Sequence, residues 1–172
     1  TASGKSALGV TLAKKLGGEI ISADSRQIYR GLDIGTGKIT KREMRGIPHH
    51  LLDIADPKRR FSADHFVRHG RRAIEEVAKR GKLPILVGGT GFYIDALLGL
   101  VELPNVPPNK ALRKRLERKS PAVLFVMLQK LDPGRAKTIE RQNPVRLIRA
   151  IEIAKVLGQV PKQKRSAHAI YR

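Results

Sequence analysis

Hydrophobic and polar positions along the chain predict alternating helices and strands. In residues 7–16, Leu8, Leu12, Ala13 and Leu16 share one helical face, and Gly17-Gly18 ends the helix. Glu19 to Ala23 is short, partly β-branched and ends at Asp24, which reads as a strand carrying a carboxylate at its C-terminal end. Ligands of open α/β sheets bind at that end. Residues 31–60, rich in Gly, Pro and Asp and including His49-His50, show no sustained period and read as loop. Ser62 is placed to cap a helix whose apolar face is Phe66, Ala73, Ile74, Val77 and Ala78 and which ends at Gly81. Leu83 to Val87 then reads as a fully buried strand running into Gly88-Gly89-Thr90-Gly91. This βαβ order predicts an α/β fold, a parallel sheet with helices on both faces. Pro104, Pro107 and Pro108 interrupt it, and basic helical stretches follow at 110–119 and 122–131. Asn143-Pro144 starts a further helix with Leu147, Ile148, Ile151 and Ala154 in one stripe and Gly158 as its stop. The expected organisation is a core over 1–104 whose N-terminal strand is missing, a small helical insertion over 105–140, and a return helix with a basic, patternless tail over 141–172.

Composition narrows the class. With 172 residues, 41% hydrophobic, 29% charged and 4% aromatic, the chain is neither disordered, collagen-like nor a coiled coil. The absence of cysteine excludes disulfides and thiolate metal sites and fits a reducing cytoplasm. No apolar run approaches the ~20 residues of a membrane helix. The chain opens on Thr1 with no signal-peptide pattern, so a truncated start is expected. Thirty-five Lys and Arg against fifteen Asp and Glu give a formal charge of +20. Such an excess implies a polyanionic partner, and nucleic acid is preferred to a membrane surface because no basic amphipathic helix stands out. The plainer alternative is a solvated basic surface.

The chemistry-bearing motifs begin at the first residue. Thr1-Ala2-Ser3-Gly4-Lys5-Ser6 matches the second half of the phosphate-binding pattern G-x-x-x-x-G-K-[ST], whose first glycine would precede residue 1. In such a loop Gly4 permits the turn, helix amides face the phosphates, Lys5 adds a positive charge and Ser6 can ligate Mg²⁺. Asp24 opens the polar run Asp24-Ser25-Arg26-Gln27 and is either a general base or an ordinary turn former. Gly88-Gly89-Thr90-Gly91 either brings a backbone and a hydroxyl to a ligand or is only a tight turn. His49 and His50 are adjacent, without metal-ligand spacing, and are expected to be structural or surface residues. Arg146 and Arg149 lie off the apolar stripe of their helix and, three residues apart, can point together at one anion.

The ordered motifs T-A-S-G-K-S, I-S-A-D-S-R-Q-I-Y-R-G-L-D-I-G-T-G-K, G-I-P-H-H-L-L-D, L-V-G-G-T-G-F-Y-I and N-P-V-R-L-I-R-A-I-E, covering Thr1 to about Gly158, resemble the tRNA dimethylallyltransferase (isopentenyl transferase) family. The resemblance implies a P-loop NTPase-like sheet. It also implies transfer of a dimethylallyl group from dimethylallyl diphosphate to the exocyclic amine of the adenosine beside the tRNA anticodon, by a monomeric cytoplasmic enzyme with Mg²⁺. On that resemblance Thr1, Ala2, Ser3, Gly4, Lys5 and Ser6 hold the diphosphate, Ser6 carries the metal, and Asp24, Lys5 and Thr90 are catalytic. Asp24, Ser25, Arg26, Gln27, Thr90, Arg113, Gln142, Asn143, Arg146 and Arg149 would contact tRNA. An adenine amine is a poor nucleophile and a departing diphosphate gathers negative charge, so a base and cations are both required. The competing readings are a P-loop kinase or prenyltransferase of free adenine nucleotides, which has no need of +20, and a non-catalytic RNA-binding domain, which has no need of Gly-Lys-Ser.

Overall fold

The computed structural model describes residues 4–162, so Thr1, Ala2, Ser3 and the tail from residue 163 lie outside the described residues. The described chain divides between Glu102 and Leu103 into two compact units.

The first unit runs α1 (Lys5–Leu16), β1 (Gly18–Ser22), a 3₁₀ turn (Ile34–Thr36), α2 (Lys41–Met44), β2 (His49–His50), α3 (Ala63–Lys79), β3 (Leu83–Val87) and α4 (Gly91–Leu97). Its sheet has the order β2-β1-β3, with both pairs parallel. Ile20 lies opposite His49 on one side and Ile85 on the other. Side chains alternate across a strand, so neighbouring β1 residues serve opposite faces. Ile20 packs with Val10 and Ala13 of α1, whereas Ile21 packs with Phe66, Ala73 and Val77 of α3 and with Leu97 of α4. The helices therefore cover both faces, as expected. Ser62 caps α3 by accepting from the His65 amide. Phe66, fully buried, stacks on Tyr93 of α4 with ring centroids 4.6 Å apart. Helix α3 is strongly amphipathic and rich in Arg, a feature the sequence reading did not single out, but its apolar edge is committed to this core.

Three local expectations change. The leucine row of α1 faces outward: Leu8, Leu12 and Leu16 are exposed, and the helix lies on the sheet through Gly9, Val10 and Ala13. Two apolar rows offset by one residue compete in this helix, and the smaller one permits close approach to the strands. Strand β3 is half-buried, with Leu83 47% exposed, because β1 occupies the centre and β3 an edge of the described sheet. His49-His50, read as loop, forms the third strand. Two residues are too few to show a period, and parallel pairing to β1 selects them.

Buried Glu19 of β1 ties three elements together. Its Oε2 accepts from Arg80, just after α3, at 2.7 Å and lies 2.6 Å from His50 Nε2 of β2. The hydrogen bonds from Arg80 and then His50 outweigh the opposing effect of burial and hold the Glu19 carboxyl below its ordinary value of 4.5.

The second unit contains α5 (Lys110–Leu116), α6 (Pro121–Leu131), α7 (Pro133–Thr138) and α8 (Pro144–Leu157). Asn109, Ser120, Asp132 and Asn143 cap the four helices through side-chain oxygens. The sequence reading assigned residues 141–172 to a helix returning to the first domain. Instead Leu147, Ile148 and Ile151 of α8 close on Leu116, Leu124 and Leu128, in the core of this unit, because the α6 leucines offer a matching stripe. The proposed boundary at 104/105 falls at 102/103. Among the described residues no helix is long and apolar enough to cross a membrane.

Two stability measurements follow from the sheet. A Cβ at Gly88 would lie 2.2 Å from the Ala23 carbonyl oxygen, whereas one at Gly89 would meet nothing within 4 Å. Gly88→Ala is expected to cost about 3 kcal/mol or more and Gly89→Ala less than about 0.5 kcal/mol, read from urea midpoints. Glu19 has a depressed pKa in the folded state, so its contribution is present above its unfolded value and fades as pH falls through the folded one. Glu19→Gln should therefore lower the melting temperature at pH 7 and narrow the gap between wild type and variant at pH 3.5.

Candidate functional site

The C-terminal ends of β1 and β3 and the start of α1 enclose a small pocket of about 70 Å³ lined by Lys5, Ser6, Ser22, Asp24, Gln27, His49, Gly88 and Gly89. Residues separated by more than eighty positions in sequence meet there. On one wall α1 begins at Gly4, whose φ of 69° is left-handed and suits a residue without a Cβ. Gly4 supplies no capping side chain, and the first turn contains no acidic residue. The positive end of the helix, with Lys5 and the Ser6 hydroxyl, thus forms a wall suited to an anion.

Asp24 lines the same pocket. Its Oδ1 accepts from the Arg26 amide at 2.8 Å and the Gln27 amide at 3.3 Å, so the turn-forming role is real. That same bonding fixes the carboxylate and leaves Oδ2 without a hydrogen bond among the described residues. The two readings of Asp24 are compatible, one oxygen for each. Ser25 and Arg26 follow in the turn, with the Arg26 side chain exposed, while Gln27 is buried and donates from Nε2 to the Gly37 carbonyl at 3.0 Å.

Thr90 joins the two strand ends. Its amide donates to the Ala23 carbonyl at 3.1 Å, and its hydroxyl oxygen accepts from the Ser25 amide at 2.9 Å. The Gly88-Gly89-Thr90 turn is therefore tight and also sets the loop that carries Asp24.

Two residues escaped the sequence reading. His49, expected to be structural or at the surface, reaches the pocket from β2 while its Nδ1 lies 2.8 Å from the Ile47 carbonyl. Burial holds its pKa below the ordinary 6.5 against that bond, so the ring is neutral at pH 7, with the proton on Nδ1. The Lys38 side chain is only 6% exposed, and its Nζ donates to the Tyr29 carbonyl at 2.7 Å and meets Asp33 at 2.7 Å and Asp53 at 2.5 Å. Burial opposes its charge, but the two carboxylates raise its pKa above the ordinary value. Lys38 thereby closes the 29–53 segment beside Gln27. The signal in the sequence was one lysine among glycines in Gly-Thr-Gly-Lys, which has no periodicity to read.

Arg113, Gln142, Asn143, Arg146 and Arg149 belong to the second unit. Gln142 is exposed, and Asn143 Oδ1 is used in capping α8. Arg146 and Arg149 do not converge on one anion: Arg146 pairs with Glu140 at 2.9 Å and Arg149 with Glu152 at 2.5 Å. Helical spacing makes them neighbours, but each is engaged by a different carboxylate. Arg113 also binds Glu152, at 2.6 Å.

Among the described residues no group of three or more His, Asp or Glu could hold a metal by itself. The pocket's hydroxyl and carboxylate do fit Mg²⁺ shared with phosphate oxygens, because that ion commonly takes few protein ligands and completes its shell from substrate and water.

A parallel sheet covered on both faces, with a Gly-Lys-Ser helix start and an acidic strand end lining one pocket, defines an α/β fold of the P-loop type. A family model described as IPP transferase matches residues 27–171. The tRNA dimethylallyltransferase of Anoxybacillus flavithermus is 48% identical over 159 residues, which are 92% of this chain and 51% of that protein. That of Leuconostoc citreum is 49% identical over 155 residues, covering 90% and 53%. Among solved structures, the full-length tRNA isopentenylpyrophosphate transferase of Bacillus halodurans superposes with a TM-score of 0.60 at 45% identity, covering 92% of this chain and 54% of the other. A eukaryotic dimethylallyltransferase described as acting on tRNA gives 0.72 at 31% identity, covering 96% and 44%. The chain belongs to the IPP transferase family. It spans about half the length of the curated relatives it matches.

The Thr90 hydroxyl yields a direct test. Thr90→Val removes the acceptor of the part-buried Ser25 amide and should cost about 1–3 kcal/mol by urea denaturation, whereas Thr90→Ser should retain most of the stability.

Proposed function

We propose that this chain is the diphosphate-binding and catalytic portion of a tRNA dimethylallyltransferase, which moves a dimethylallyl group from dimethylallyl diphosphate to the exocyclic amine of the adenosine adjoining the anticodon. The observation that carries the proposal is that one pocket is lined both by Lys5 and Ser6 at the start of α1 and by the carboxylate of Asp24. The relatives support transfer to tRNA over phosphoryl transfer to a small acceptor or mere RNA binding. The formal charge of +20 suits a polyanionic acceptor.

In this reading the adenosine leaves its stack to enter the pocket. Its amine nitrogen forms a bond to the allylic carbon as the bond from that carbon to the diphosphate oxygen breaks, and the electron pair departs with the diphosphate. Asp24 takes the amine proton on Oδ2, the oxygen that the turn leaves unused. Lys5 and the amides of the first helical turn, Thr1 to Ser3 preceding them, hold the leaving diphosphate as its charge grows. Ser6 would hold Mg²⁺, whose chemistry there is to neutralise that same charge. Thr90 keeps Asp24 in place through Ser25. Ser25, Arg26 and Gln27 in the first unit, and Arg113, Gln142, Asn143, Arg146 and Arg149 in the second, are the residues proposed to meet tRNA.

Asp24→Asn provides the test in the full-length protein. Asparagine retains an Oδ1 that can accept from the Arg26 and Gln27 amides, so the turn survives while the base is lost. Single-turnover transfer from labelled dimethylallyl diphosphate to tRNA should fall by about 10²- to 10⁴-fold with tRNA affinity nearly unchanged. Near-normal turnover would show that the base lies elsewhere.

A further inference from the structure

Glu152 of α8 is 1% exposed, yet it is a carboxylate. Its Oε1 accepts from the Asn109 amide at 2.6 Å and from Arg113 Nε at 3.0 Å. Its Oε2 accepts from Arg113 Nη2 at 2.6 Å and from Arg149 Nη1 at 2.5 Å. The carboxylate thus joins the start of α5 to the middle of α8 and gathers two guanidinium groups from different helices. Burial alone would raise its pKa, but the bonds from Arg113, the Asn109 amide and Arg149 prevail and keep it ionised.

The cluster is not electrically closed. Two guanidinium charges meet one carboxylate, leaving a net charge of +1. An arginine has five N–H donors. Arg113 uses one on Nε and one on Nη2, and Arg149 uses one on Nη1, so among the described residues most donors of both remain. The side chains are 23% and 35% exposed, whereas Glu152 is sealed beneath them. A buried ion pair built only for stability needs one cation for one carboxylate, and apolar replacements often serve stability as well. A second arginine, partly exposed to solvent, needs another reason.

We propose that Glu152 is a positioning residue that fixes Arg113 and Arg149 as one anion subsite for a phosphate of the RNA backbone. This rests on the tRNA reading above and deepens it: two arginines far apart in the sequence become a single preorganised fork. A phosphate offers several acceptor oxygens and favours planar, doubly donating guanidinium groups over separate point charges. Holding two such groups on one buried carboxylate removes rotamer freedom before RNA arrives.

The test exploits a sign. Glu152→Gln makes the protein one charge more positive, so if the arginines act only as diffuse charge, RNA should bind as well or better. If Glu152 positions them, RNA should bind worse. In the full-length protein, at fixed salt, the affinity for a tRNA anticodon stem-loop measured by fluorescence anisotropy should fall about tenfold. The KM for tRNA should rise by about the same factor, with kcat and the KM for dimethylallyl diphosphate within about twofold. Folding is checked by circular dichroism. Should Glu152→Gln fail to fold, Arg113→Lys and Arg149→Lys retain every charge; each should weaken stem-loop binding by about three- to tenfold, and the double variant little more than either single one. Unchanged or tighter binding by folded Glu152→Gln, or charge-retaining variants that bind like wild type, would overturn this inference and leave the tRNA reading intact. Failure of the unsubstituted protein to bind the stem-loop would overturn both.

Discussion

The candidate site depends on how closely the ends of β1 and β3 approach. Parallel pairing runs from Gly18 opposite Leu83 to Ser22 opposite Val87, and the Ala23 amide continues it by donating to the Val87 carbonyl at 2.7 Å. Beyond that point the chains remain in contact, because Gly88 has no side chain to hold them apart. The Ala23 carbonyl can then receive the Thr90 amide, and the Thr90 oxygen can receive the Ser25 amide. The turn that follows directs Asp24 into the pocket. A larger residue at Gly88 would separate the strand ends and remove this whole sequence of bonds, from Ala23 to Asp24.

Acidic side chains are scarce in this chain, and the buried ones hold its structure. Glu19 ties β1 to β2 and to Arg80 after α3. Asp132 caps α7 and accepts from the Val160 amide. Glu152 binds α5 to α8. Each is satisfied by cationic or amide donors, as a buried carboxylate must be. Asp24 differs because it faces a pocket with one oxygen engaged and, among the described residues, the other not. That asymmetry suits a group that must stay in one orientation and still accept a proton.

The large positive charge follows a related division. Some cations are structural, such as Lys38, enclosed by two carboxylates and a carbonyl, and Arg80 on Glu19. Others stand at partly exposed positions where only some of their donors are engaged, as with Arg113 and Arg149. Net charge alone does not separate these classes; burial and the number of acceptors within reach do.

Much of this was legible in the order of residues. The helix over Ala63–Lys79 with its Ser62 cap, the strand ending at Asp24, the strand before Gly88 and the helix begun by Asn143-Pro144 follow from period, caps and stops, which are local properties of the chain. The Gly-Lys-Ser start and Asp24 were legible because phosphate and proton chemistry demand those residue types. Which row of α1 would be buried was not, because Leu8-Leu12-Leu16 and Gly9-Val10-Ala13 differ by about one residue of rotation and the sheet decides between them. Nor could sequence show that His49-His50 pairs with β1, that α8 packs with its own helical unit, or that Arg113 and Arg149 share Glu152. Those outcomes join residues distant along the chain. They are decided by competition among possible partners for one strand edge, one apolar stripe or one carboxylate, and that competition exists only once the chain has folded.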